Sequence, residues 1–175
     1  MRIRHEAEPI MKKEPTTFRS IISIVIKHEG GSKYTNDPKD LGGETRYGIS
    51  KRAHPEVDIK NLTLDGAMDI YRRLYWIPSK AEKIKPELRL AYFLYLVNAG
   101  QGNAVKCLQK ACNATLARDK RLVVDGRIGN LTIKATKQLG VDRLKAYILL
   151  NYAKLVLKNP SQERFWYGWY KRALT

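Results

Sequence analysis

Residues 87–98 constrain this chain most: Leu88, Leu90, Ala91, Tyr92, Phe93, Leu94, Leu96 and Val97 leave almost no polar face. A helix of this length rises only about 18 Å, well short of the ~30 Å hydrocarbon core of a bilayer. A helix that is apolar all round yet too short to span a membrane is a buried one, and it needs other helices packed about it.

The rest of the chain supplies them. Phe18, Ile21, Ile22, Val25 and Ile26 recur at spacings of three and four, and Gly30-Gly31 ends the pattern. From Thr63, whose hydroxyl suits an N-cap, Leu64, Ala67, Met68, Tyr71 and Tyr75 share one face of a second helix that stops near Trp76 and Pro78. Further helices are expected over residues 102–116, 130–139, 142–158 and 161–172, with a turn at Asp125-Gly126. Between the first two helices, residues 32–50 are rich in turn formers, and residues 45–49 suit a small hairpin. The expected fold class is therefore mainly α: a helical domain with one β-hairpin insert after its first long helix. Its 175 residues suit a single domain, or one domain with a small lobe. Residues 1–17, charged and without periodicity, are expected to be a flexible tail.

Charge narrows the partners. Thirty-three Lys and Arg against 17 Asp and Glu give a net charge of +16, which favours polyanions such as nucleic acid, anionic membrane or the bacterial envelope. Surplus lysines also serve plain solubility, so charge alone does not choose. A nucleic-acid binder needs cations gathered along a recognition element, whereas here they are spread over every segment, and no nucleic-acid partner is expected. Cys107 and Cys112 lie five residues apart on an expected helix, pointing in different directions, so a disulfide between them is not expected. His5, His28 and His54 match no metal-ligand spacing, and neither a metal nor another cofactor is expected. The N-terminus holds no apolar run of secretory length, and the first such run, at residues 21–26, is too short for a signal core or a span. Synthesis in the cytoplasm without a signal peptide is expected.

Glu29 is the most informative single position. At 100° per residue it lies about 20° from Phe18 and Ile22 and about 40° from Val25, so it continues the buried face of its helix into the last turn. Apolar surroundings and the negative end of the helix dipole both favour a protonated carboxyl there. A carboxylic acid held protonated is what glycoside hydrolysis needs to protonate the leaving oxygen. A Glu that merely ends a helix and bends out to solvent is the commoner case. The residues after Glu29 change the balance: a Gly-rich excursion supplies Asp37, Asp40, Glu44 and Thr45, and a second carboxylate is the other half of a glycosidase pair.

The stretch at residues 29–50, EGGSKYTNDPKDLGGETRYGIS, resembles the signature of glycoside hydrolase family 108, whose pattern runs E-G-G-Y, D-P-x-D-x-G-G-x-T and Y-G-I. The similarity continues through Ala67-Met68-Asp69-Ile70-Tyr71, Tyr75-Trp76, Val97-Asn98-Ala99-Gly100 and Leu108-Gln109. It then runs through Asp125-Gly126-Arg127-Ile128-Gly129 to Phe165, Gly168-Trp169 and Arg172, covering roughly residues 18–172 in order. Two departures stand out: Ser32 replaces the tyrosine after Gly-Gly, with Tyr34 two places on, and Leu94 stands where an acidic residue is common.

The resemblance implies a lysozyme-like α+β fold and an N-acetylmuramidase that cleaves the β-1,4 bond from N-acetylmuramic acid to N-acetylglucosamine. It also implies a muramidase part at residues 18–110 and a peptidoglycan-binding-like part at residues 111–175, packed into one globule. Catalysis would fall to Glu29, Asp37 and Thr45. Tyr34, Asp40, Tyr47, Asn98, Gln101, Trp166 and Trp169 are the candidate substrate contacts, the last two because flat aromatic faces suit the C–H faces of sugars. The expected partners are peptidoglycan glycan strands and the anionic bacterial envelope, with a holin or export system delivering a monomeric enzyme to the periplasm, as in phage-type endolysins and secretion-associated muramidases. A fold-retaining peptidoglycan binder without activity is the main alternative, and an intact Glu29 speaks against it.

Overall fold

The computed structural model describes residues 16–36 and 43–175. Helix α1 (Phe18–His28) is opened by a reciprocal cap in which Thr17 and Ser20 exchange side-chain and backbone hydrogen bonds. It buries Ile21, Ile22, Val25 and Ile26. Strands β1 (Thr45–Arg46) and β2 (Ile49–Ser50) pair antiparallel, Thr45 opposite Ser50 and Arg46 opposite Ile49, as the hairpin expected after α1.

Helix α2 (Leu64–Tyr71) is capped by Thr63, whose hydroxyl accepts the Gly66 N–H at 3.1 Å. Thr63→Ala is expected to lower stability by about 1 kcal/mol and the melting temperature by roughly 2–4 °C, measured by thermal denaturation. The helix does not continue regularly as its apolar pattern suggests. Arg72–Trp76 forms a π turn, and the extra residue advances the phase of the chain so that Trp76 enters the core. There it meets Phe18 and Phe93 edge-on, at centroid distances of 5.3 and 5.2 Å. Leu64, assigned by periodicity to the packed face, is exposed, and Ile70 is buried instead.

Short 3-10 turns at Ala81–Lys83 and Pro86–Leu88 lead into α3 (Arg89–Ala99), the buried helix of the apolar run. It is buried from Leu90 through Leu96 and packs against α1, α4 (Gln101–Asn113), α6 (Val141–Lys158) and α7 (Glu163–Leu174). Helix α5 (Asn130–Thr136) rests on α4. One continuous hydrophobic cluster runs from Ile21 on α1 to Ala173 on α7, so first and last helices share a core. Cys107 and Cys112 are free and buried within it, and burial pushes both thiols up to about 12. Among the described residues no helix is long and apolar enough to cross a membrane. The structure is a mainly helical, lysozyme-like α+β fold with a single two-stranded sheet among the described residues.

Candidate active site

The end of α1 sets the site. Glu29 caps the helix, with its N–H bonded to the Val25 carbonyl at 3.0 Å. Gly30 and Gly31 then take left-handed conformations, φ +95° and +65°, and the Gly31 N–H reaches back to the Ile26 carbonyl at 2.9 Å. This six-to-one bond is why two glycines follow Glu29: side chains rarely adopt such φ, and the closure stops the helix one residue past His28.

The hairpin is then tied to the helix end. The Tyr47 N–H donates to the Gly31 carbonyl at 3.1 Å, and the Arg46 guanidinium donates to the Ser32 and Lys60 carbonyls at 3.2 and 2.8 Å. Tyr47 and Gly48 are the two central residues of the turn, with φ +54° and +76°. Positive φ at both positions makes the tight turn whose twist matches a hairpin, and at Tyr47 it is a strained choice. The Tyr71 hydroxyl holds that strain in place by donating to the Tyr47 carbonyl at 3.2 Å. Gly48 lies directly against Glu29: a Cβ there would sit 2.7 Å from the Glu29 Cβ and 2.5 Å from the Tyr71 hydroxyl.

The carboxylate itself meets α7. Arg172 Nη2 lies 3.5 Å from Glu29 Oε1, with the two side chains 19% and 30% exposed. The all-apolar niche expected for Glu29 is therefore only partial, and a guanidinium closes one side of it. The neighbouring ionisable groups feel the same cluster. Burial and then the Arg172 charge push His28 below its ordinary value, against the pull of Glu29. Burial and then the Glu29 charge push the Tyr71 phenol up. Among the described residues, the buried Arg172 Nε has no hydrogen-bond partner. No local sequence pattern could have paired residues 29 and 172; their proximity comes from α3 holding both α1 and α7.

The other sequence-derived candidates separate into groups. Asp37 and Asp40 lie outside the described residues. The Thr45 hydroxyl donates to the Gly43 carbonyl at 3.2 Å, its backbone pairs with Thr35, and the Tyr34 hydroxyl donates to Glu44 at 3.1 Å. Asn98 accepts from the Tyr152 hydroxyl at 3.1 Å, and the Trp169 ring stacks on Tyr152 at 4.8 Å. Trp169 is one turn before Arg172 on α7, and with Asn98 and Tyr152 it lines a cavity of about 370 Å³. Gln101 donates to the Pro78 carbonyl at 3.2 Å, a bond that joins the start of α4 to the segment after the π turn. Trp166 is half-buried against the core, while Tyr167 is exposed.

The glycosyl hydrolase 108 family model matches residues 22–100, which contain α1, the hairpin, α2 and α3. Residues 22–100 belong to the glycosyl hydrolase 108 family. A second model, described as a predicted peptidoglycan domain, matches residues 103–174. Among solved structures, "Structure of Brucella abortus SagA" is 28% identical, with a TM-score of 0.68, covering 89% of this chain and 88% of that one. No curated protein matches the chain. The two domains together make this protein a glycosidase acting on peptidoglycan. The part matched by the glycosyl hydrolase 108 model contains Glu29 and the hairpin, and the part matched by the peptidoglycan domain contains Arg172.

Proposed function

We propose that the hydrolase is an N-acetylmuramidase, cleaving the β-1,4 bond from N-acetylmuramic acid to N-acetylglucosamine, with Glu29 as the general acid. The observation that carries this reading is the position of Glu29: a carboxyl at a helix end, pressed by Gly48 and faced by Arg172. Glu29 donates a proton to the glycosidic oxygen as the bond to the anomeric carbon breaks. Negative charge then develops on the carboxyl, and the guanidinium 3.5 Å away stabilises it in place. Asp37 is the proposed second carboxylate, stabilising the cationic sugar or activating water, with Thr45 beside it in sequence order as the third member. Asn98 and Trp169 are proposed to hold a sugar in the cavity next to α7, with Tyr34, Asp40, Tyr47, Gln101 and Trp166 as further contacts along the strand.

Product chemistry tests the bond assignment. Purified sacculi digested with the protein, reduced with borohydride and analysed by mass spectrometry are expected to give muropeptides ending in reduced N-acetylmuramic acid. Fragments ending in reduced N-acetylglucosamine, or in anhydro-sugars, would overturn it.

The net charge of +16 is proposed to hold the enzyme on the anionic envelope. The screening length falls from about 30 Å at 0.01 M salt to about 3 Å at 1 M. Sacculus hydrolysis is therefore expected to slow at least about tenfold over that range, while melting temperature moves little. Equal rates at both ends would separate the charge from wall attachment.

A further inference from the structure

A cavity of about 960 Å³ lies in the peptidoglycan domain, over Gln109 and between the segment at residues 119–125 and helix α5. It is distinct from the Glu29 cluster and shares no residue with the cavity beside Trp169. Its size is at the upper end of the range for ligand pockets. Its chemistry differs from that of the Trp169 cavity. The latter is walled by Tyr95, Tyr152 and Trp169 with Asn98, Asn103 and Asn151, the aromatic faces and amides that suit sugar rings. The larger cavity has no aromatic residue in its lining. Its lips are aliphatic, with Val123 78% and Leu131 75% exposed, and its rim carries Lys120, Arg121, Arg127 and Lys134 against Asp119 and Asp125.

The floor is built, not incidental. The Gln109 side chain, 2% exposed, donates from Nε2 to Asp125 Oδ1 at 2.8 Å and to the Arg127 carbonyl at 3.1 Å. Its Oε1 accepts the Gly126 N–H at 3.0 Å, and Asp125 also accepts the Arg127 N–H at 2.8 Å. These bonds hold the turn at φ +79° on Gly126, where a Cβ would come within 3.1 Å of the Gly102 carbonyl. One buried amide thus fixes the loop that carries Arg127, and a preorganised loop does not have to be ordered by its ligand.

We propose that this cavity binds the stem peptide of peptidoglycan, an acidic peptide, and not its glycan. Stem peptides carry free carboxylates, alanine methyls and, in diaminopimelate walls, a free ammonium. Those groups complement a cationic rim, aliphatic lips and a pair of aspartates, in that order. This cavity therefore reads the peptide, while the Trp169 cavity and the Glu29 site read the sugar. The choice of ligand rests on the peptidoglycan reading of the chain, but binding is measured without turnover, so the two can fail separately.

The test titrates the full chain, isotopically labelled, with the synthetic tripeptide L-Ala-γ-D-Glu-meso-diaminopimelate and, separately, with chitotetraose. The tripeptide is expected to shift the backbone amides of residues 121–134, and chitotetraose is expected to leave them in place. Arg121→Glu/Lys134→Glu, at two exposed rim positions, is expected to weaken tripeptide binding at least tenfold. The same variant should slow hydrolysis of intact sacculi several-fold yet keep the wild-type rate on amidase-stripped, peptide-free glycan strands. Tripeptide shifts absent from residues 121–134, an unchanged affinity in the double variant, or chitotetraose shifts centred on this cavity would each overturn the proposal. Absence of turnover by the unsubstituted protein on both kinds of strand, with the tripeptide shifts intact, would count against the muramidase reading alone.

Discussion

Glu29→Gln is expected to cut hydrolysis of purified sacculi by about 10²–10⁴, leaving the circular dichroism spectrum unchanged and the thermal transition within a few degrees of wild type. The factor is what a lost general acid removes. The fold should survive because the substitution keeps the size of the side chain and an oxygen that can accept from Arg172 Nη2, now 3.5 Å from Glu29 Oε1. The backbone features that shape this corner, the Gly31-to-Ile26 bond and the Tyr47-to-Gly31 bond, do not involve the carboxyl. A folded Glu29→Gln protein with normal turnover would remove the general acid from this chain and the proposed mechanism with it.

The helices that build this corner are legible in the sequence because each obeys a local rule. The α1 stripe, the Gly-Gly stop, the Thr63 cap and the all-apolar run of α3 are patterns within a dozen residues, and each element formed where its pattern lies. The hairpin was legible for the same reason: Tyr47-Gly48 sits between two short β-prone pieces. What escaped is of two kinds. The π turn after α2 satisfies packing against Phe18 and Phe93 rather than any preference of Arg72–Trp76, and regular periodicity also put Leu64, at the exposed start of α2, on the packed face. The Glu29–Arg172 pair joins residues at opposite ends of the chain, and only the three-dimensional role of α3, touching α1 and α7 together, brings them to one place. Periodicity placed Glu29 on the buried face but was silent about the cation waiting there.

Among the described glycines, Gly48→Ala is expected to be the most damaging alanine substitution. Two costs combine at this position. The backbone sits at φ +76°, which a residue bearing a Cβ adopts at a cost of roughly 1 kcal/mol. The added carbon would also lie 2.7 Å from the Glu29 Cβ, 3.2 Å from its Cγ and 2.5 Å from the Tyr71 hydroxyl. Overpacking of that kind costs about 1–3 kcal/mol, so the sum is about 2–4 kcal/mol and a melting temperature lower by roughly 5–15 °C. Relief is available in two directions, and both harm the site. Tyr71 can swing away, which frees the Tyr47 carbonyl and slackens the strained turn, or Glu29 can move, which shifts the acid relative to the bond it protonates. A displacement near 1 Å costs about 10²-fold in rate. The expectation is therefore a folded but weakened enzyme, at least about a hundredfold slower when assayed well below its melting point. A control at Gly102, where a Cβ meets nothing within 4 Å, is expected to keep both stability and rate. If Gly48→Ala kept wild-type turnover, the hairpin would not be what holds Glu29 in register.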